Sequence, residues 1–234
     1  MIYRRFLITA FVAAVAFHSC ENANGREERR PKTQHQDTTT RKKKSEPGDH
    51  FTGVVRAKAK TSYVDGAPEI FPSVKKLRNS LKDEEYMHKK SGARFRDADR
   101  CPEEQKNVAF TEVYIFAVSR EDDNDFHVII GSNKSQGKDQ VLMSAEISAL
   151  PDSTSPYYAK LKAVRDEFKA YFGERSNKEH VFVSSDKKPP IKLDYLEGSL
   201  FFDNHHYNAY SGFNGFKSST AWEIHPVTAI KFAR

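Results

Sequence analysis

A chain of 234 residues with 38% hydrophobic and 30% charged side chains holds enough apolar material for one ordinary core, together with a good deal of solvated chain. The formal net charge of +6 does not sit on the folded part: residues 51–234 hold 28 Lys and Arg against 26 Asp and Glu, and the surplus lies upstream. That distribution argues against nucleic acid as a partner, because phosphate binding draws its affinity from basic charge concentrated on the binding domain.

The N-terminus reads as an export signal. MIYRR is a short basic opening and FLITAFVAAVAF an apolar run of about a dozen residues. The run falls short of the roughly 20 residues that a transmembrane helix requires. HSC follows, with Ser19 before Cys20, and resembles the lipobox of bacterial lipoproteins. Residues 1–19 are therefore expected to be a lipoprotein-type signal peptide and Cys20 the lipidated residue, with ordinary secretion as the alternative. The expected place of the chain is the bacterial cell envelope, held to a membrane by its lipid. Cys101 is the other cysteine, so no disulfide framework is expected. Residues 20–50 carry almost nothing apolar and read as a disordered tether.

Residues 51–104 form an N-terminal extension. FTGVVRAKAKTSYV reads as a strand, and PSVKKLRNSLKDEEYMHKK as a helix entered at Pro72, with Val74, Leu77, Leu81 and Tyr86 along one side. From residue 105 the pattern is stronger. NVAFTEVYIFAVSR (107–120) and DFHVIIGS (125–132) read as a hairpin turned by EDDN, and VLMSAEISAL (141–150) as a third strand. A helix follows, with Ser155 as N-cap, Pro156 in its first turn and Gly173 at its end. Tyr157, Leu161, Val164, Phe168 and Phe172 make its apolar stripe. IKLDYLEGSLFFD (191–203) and TAWEIHPVTAIKF (220–232) close the series, the last expected to bulge or break at Pro226, which has no amide donor. The expected class is mainly β with one or two helices. The order β-β-β-α-β-β is that of a five-stranded OB-like barrel over residues 105–234, with an open α+β sheet of the same elements as the alternative.

Chemistry concentrates in three segments. Asp125 and His127 share one strand face, as do Glu223 and His225, while Asp203 ends the fourth strand just before His205 and His206. In an OB-like order these gather at one end of the barrel, around its mouth. Asp125, His127, Asp203, His206, Glu223 and His225 are candidate ligands for zinc or a similar divalent ion, the cofactor such a mixed set would take, and hydrolysis at that ion is one reading. Tyr207, Tyr210, Phe213 and Phe216 lie in a long loop with Asn and Gly and are candidates for binding a glycan or a peptide. A third reading is structural, with the polar groups pinning loops to the barrel. No nucleophile triad or phosphate loop is found, so a binding or accessory protein is expected rather than an enzyme.

The segments DNDFHVIIGS, AEIS, LFFDNHH and WEIHPV together resemble a family of uncharacterised exported bacterial proteins, over roughly residues 105–232. The resemblance implies an OB-like barrel and no particular reaction. The positions matching its pattern are Asp125, His127, Asp203, His206, Glu223, His225 and Pro226, with the neighbouring His205 leaving open which of the pair fills the family's histidine position.

The anchor is testable by labelling cells with radioactive palmitate. The chain is expected to take up label and Cys20→Ala to lose it; equal labelling of both would remove the anchor.

Overall fold

The computed structural model describes residues 48–91, 99–135, 140–175 and 179–234. The expected signal peptide, Cys20 and most of the expected tether lie outside the described residues.

The domain is a closed barrel of five strands. These are β3 (Val113–Arg120), β4 (Phe126–Gly131), β5 (Leu142–Ile147), β7 (Ile191–Phe202) and β10 (Trp222–Phe232). β3, β4 and β5 pair antiparallel in sequence, β5 pairs parallel with β10, β10 returns antiparallel to β7, and β7 closes on β3 through Val113↔Leu193 and Ile115↔Ile191. With α4 (Tyr158–Phe172) between the third and fourth barrel strands, this is the expected OB-like order, and it is closed rather than open.

Inward and outward residues alternate, as closure requires. Phe126, Val128 and Ile130 of β4, Ala145 and Ile147 of β5, and Trp222 and Ile224 of β10 enter one shared core. Burying each large apolar side chain contributes about 1.5–3 kcal/mol. α4 covers the barrel end where β4 starts. Its Leu161, Val164, Phe168 and Phe172 are buried as the stripe predicts, Phe168 lies 5.1 Å from Phe126 ring to ring, and Gly173 ends the helix at φ 80°.

Several elements differ from the sequence expectation. The strand expected over 107–120 is bent at Thr111 and Glu112 into β2 (Asn107–Phe110) and β3, yet both pieces keep one register along β7: Phe110↔Leu196 continues into Val113↔Leu193. Residues 51–64 are not a strand but a strap carrying one turn, α1 (Ala57–Lys60), after Arg56 in the left-handed region at φ 52°. The single helix expected over 72–90 is two, α2 (Val74–Ser80) and α3 (Glu84–Ser91). Ser73 caps the first by accepting from the Lys76 amide, and Asp83 accepts from the Tyr86 amide, so two N-caps divide one run and Pro72 stays outside. The described residues thus hold four α-helices where one or two were expected. β1 (Glu69–Ile70), β6 (His180–Val183) and the hairpin of β8 (Gly212–Phe213) and β9 (Phe216–Lys217) were not anticipated.

Pro226 does bulge its strand. Leu200 faces Ile224 but Gly198 faces Val227, so β10 carries one extra residue there. β7 comes so close at this point that a Cβ on Gly198 would lie 2.5 Å from the Pro226 carbonyl oxygen.

The strap is held down by buried ion pairing. Arg56 donates to both oxygens of Glu104, at 2.8 and 2.7 Å, and to the Phe202 carbonyl. Glu104 also accepts from the amides of Phe202 and Cys101, both at 2.8 Å. Burial pushes the Glu104 carboxyl up, but Arg56 and these amides outweigh it and hold it below its usual range. Its stabilisation is therefore complete above pH about 4.3, the ordinary Glu value, and is lost as pH falls through the lower native value. Glu104→Ala is expected to cost about 3–5 kcal/mol in urea unfolding, because it strands a buried guanidinium. A loss below about 1 kcal/mol, the range of exposed pairs, would contradict this role.

Candidate functional site

The polar residues lie on the outer wall of the barrel, not around its mouth. Strand alternation decides this: the neighbours of core residues Val128, Ala145 and Ile224 point away from the interior, and these are His127, Ser144, Glu146, Glu223 and His225. The ladder then sets them side by side. His127 stands opposite Glu146 across β4 and β5, Ser119 opposite His127 across β3 and β4, and Glu223 opposite Ser144 across β5 and β10.

An outward row of this kind would ordinarily be wet. Here His127 is 5% exposed, Glu223 3% and His225 1%, because three segments cover the wall. The strap brings Lys60, the β3–β4 turn brings Glu121–Asp125, and the segment between β7 and β10 brings a 3₁₀ turn at Asn204–His206 and the β8–β9 hairpin. Between them and the wall is a cavity of about 830 Å³. Its lining carries seven carboxylates, from Glu121, Asp122, Asp123, Asp125, Glu146, Asp203 and Glu223, against three Lys or Arg, from Lys60, Arg120 and Lys217.

Inside the cluster, Asp125 accepts from the Ala149 amide at 2.6 Å through Oδ1, and its Oδ2 lies 3.4 Å from His225 Nε2. His225 Nε2 also lies 3.0 Å from Ser148 Oγ, whose single proton goes to the Lys60 carbonyl. His225 must therefore be the donor in that contact, which leaves a lone pair on Nδ1. That atom has no hydrogen-bond partner and stands 3.9 Å from Glu223 Oε2. The other Glu223 oxygen is 3.9 Å from His206 Nδ1, which is 2.9 Å from Asp203 Oδ2 without lining up as a hydrogen bond. Asp203 is fixed by accepting from the His205 amide at 2.8 Å.

Burial dominates the titration of the deeper groups. It raises Glu223, raises Glu146 with help from Glu223 and Asp125, and lifts Asp125 to about 7 with help from Asp123. It pushes His127 down to about 4 and His225 well below the usual imidazole range. At the rim the order reverses: Asp203 and Glu223 raise His206 to about 10. Burial works against the Lys60 ammonium, yet Asp125 and Asp123 outweigh it and hold that group charged.

Five of the six candidate metal ligands, Asp125, His225, Glu223, His206 and Asp203, thus form one chain of contacts linked by Glu223 and His225, while His127 lines the same cavity but contacts Ser144 and Glu146; of the six, only Asp203, His206 and Glu223 bring ligand atoms within 4.8 Å of one another. Of the histidine pair, His206 joins the cluster and His205 lines the cavity. The loop aromatics divide. Tyr210 and Phe213 line the cavity, Phe213 stacking on His180 at 4.4 Å. Phe216 is buried against Phe116 at 5.5 Å, and Tyr207 stacks on His88 at 4.2 Å, so these two rings hold the loop in place. Sequence reasoning missed Glu146 and Lys60. Glu146 was accessible as the middle of Ser144, Glu146 and Ser148, an alternating polar face inside an apolar run. Lys60 carries no local signal. Cys101 is buried, which together with Glu104 pushes its thiol up to about 12, far from a nucleophile at neutral pH. No family model, curated protein or solved structure matches the chain.

The depressed His127 has a measurable consequence. Its contribution to stability is complete above pH about 6.5, the ordinary histidine value, and is lost as pH falls toward its native value. NMR is expected to show its imidazole neutral and unchanging from the neutral range down to mildly acidic pH, titrating only near pH 4. A midpoint at the ordinary histidine value would contradict the buried environment.

Proposed function

We infer that the chain is an exported, lipid-anchored protein of the cell envelope that acts by binding, and that its cavity takes a positively charged polar ligand. Among the described residues no helix is long and apolar enough to cross a membrane, so the lipidated Cys20 would provide the attachment. A lipid anchor and a tether place a binding domain near a membrane surface and leave its cavity free to meet ligand.

The observation that carries the ligand class is the oxygen-rich lining of the cavity, seven carboxyl groups against three Lys or Arg and the charged His206, with Glu146 Oε2 and Asp125 Oδ2 buried and without hydrogen-bond partners. Burial holds Glu146, Glu223 and Asp125 toward their neutral forms, and an arriving cation would draw them to ionise and would satisfy these oxygens. The chain already places one ammonium in this field, Lys60 at 3.4 Å from Asp123 Oδ2. Tyr210 and Phe213 offer aromatic faces beside the carboxylates, which suits a short basic peptide, whose methylene stems lie on rings while its ammonium groups meet oxygens.

Calorimetric titration of the purified chain with tri-lysine, tri-glutamate, an amino sugar and a neutral oligosaccharide separates the possibilities. Tri-lysine is expected to bind, less tightly as salt rises, and Asp123→Asn to weaken it about tenfold, the scale of one charged hydrogen bond. Binding of the neutral oligosaccharide alone, or salt-independent binding of tri-lysine, would overturn the charge argument.

A further inference from the structure

The rim of the cavity holds an arrangement that organic-ligand binding does not require. Asp203, His206 and Glu223 come from two elements, the 3₁₀ turn after β7 and the start of β10, and present one nitrogen and two oxygens to a common point. His206 Nδ1 is 2.9 Å from Asp203 Oδ2 and 3.9 Å from Glu223 Oε1. Around a tetrahedral ion with bonds of about 2.0–2.2 Å, ligand atoms stand about 3.3–3.6 Å apart, and the two observed separations bracket that spacing.

A second observation points the same way. Glu223 is 97% buried by its 3% exposure, yet its oxygens each stand 3.9 Å from an imidazole Nδ1, of His206 on one side and His225 on the other, too far for a hydrogen bond. Both of those Nδ1 atoms lack hydrogen-bond partners. A buried carboxylate between two imidazole nitrogens that lack hydrogen bonds, at a cavity wall, is a set of donors with room among them.

We propose that Asp203, His206 and Glu223 form a divalent-cation site, with the cavity supplying the open coordination position. One imidazole and two carboxylates suit zinc first and manganese second. Two features orient the set. The His205 amide fixes Asp203, and the lone pair of His225 Nδ1 lies against the second Glu223 oxygen, disfavouring its turning away from the ion. The inference is independent of the basic-peptide reading.

The test uses the full chain stripped with EDTA, titrated with zinc, manganese, calcium or magnesium chloride alone and followed by calorimetry and by thermal unfolding. One zinc per chain is expected, with a rise in Tm and weaker uptake of manganese. Asp203→Asn and His206→Ala are each expected to weaken zinc binding roughly 10- to 100-fold or to abolish it. His50→Ala, which removes an exposed histidine outside the set, is expected to leave it unchanged. Cobalt(II) added to the stripped chain is expected to give a visible absorption band that His206→Ala removes. No zinc uptake by a folded chain, or uptake equal in both ligand variants, would overturn the site and leave Asp203 and His206 as a plain ion pair. A chain that takes tri-lysine but no zinc defeats only this proposal; one that takes zinc but no tri-lysine defeats only the ligand class.

Discussion

The bidentate contact between Arg56 and Glu104 is the constraint on which the site depends. Glu104 receives two guanidinium N–H groups and two backbone amides, so its charge is fully solvated by the protein in a place that excludes water. One of those amides belongs to Phe202, the last residue of β7, directly before Asp203. The guanidinium belongs to the residue before α1, which carries Lys60. A single ion pair therefore positions both a ligand-bearing turn and the strap that covers the wall. Arg100, just before Glu104 in the chain, ties the same parts together by donating to the carbonyls of Ala59 and Ser62 in the strap, Leu200 in β7 and His225 in β10. Burial lowers its pKa to about 10, and the guanidinium remains charged at neutral pH.

Covering the wall has an electrostatic cost. A polar row on an exposed strand face is solvated and costs little. Placed under a strap, the same Asp, Glu and His side chains lose water, and several atoms find no protein partner: Asp125 Oδ2, Glu146 Oε2 and the Nδ1 of His225. Each such group left unsatisfied costs about 1–3 kcal/mol, a large fraction of the stability of an ordinary domain. The hydrophobic core is intact beneath, with Val128, Ala145 and Ile224 fully or almost fully buried, so the fold does not need these polar groups to close. A purely structural role for the cluster would predict satisfied partners. The atoms without protein partners are where water or a bound group would complete the cluster.

Much of the barrel was legible from sequence because its strands are rich in β-branched and aromatic residues and its one long helix is punctuated at its end by Gly173. The extension was less legible. VVRAKAK has the apolar start of a strand, but Val54 and Val55 remain 85% and 59% exposed and find no ladder, while Arg56 turns the chain away to reach Glu104, 48 residues on. That decision is made by a long-range ion pair, which local periodicity cannot register. At the site, the polar pairs Asp125/His127 and Glu223/His225 were visible as breaks in apolar runs, and the parallel pairing of β5 with β10 brought them together. The face was read correctly, with Trp222 and Ile224 toward the core and Glu223 and His225 away from it, but the address was not: a polar residue buried under a strap on the outer wall looks in sequence like one at the barrel mouth.

The position of Lys60 bears on the charge balance of the cavity. Its ammonium stands among the cavity carboxylates and offsets part of their mutual repulsion, so the acidic wall can exist without ligand. It does so from a four-residue helix within the strap, not from the barrel. Its ion pair to Asp123 is 3.4 Å long, and both side chains are about one-fifth exposed, at 20% and 22%. Both side chains are mostly buried, and Asp125 and Asp123 hold the ammonium charged, so the contact is part of the cavity's own balance and not one of the exposed pairs that contribute little. The compensating positive charge thus sits on a long side chain of the strap, which is itself locked by Arg56 and Arg100.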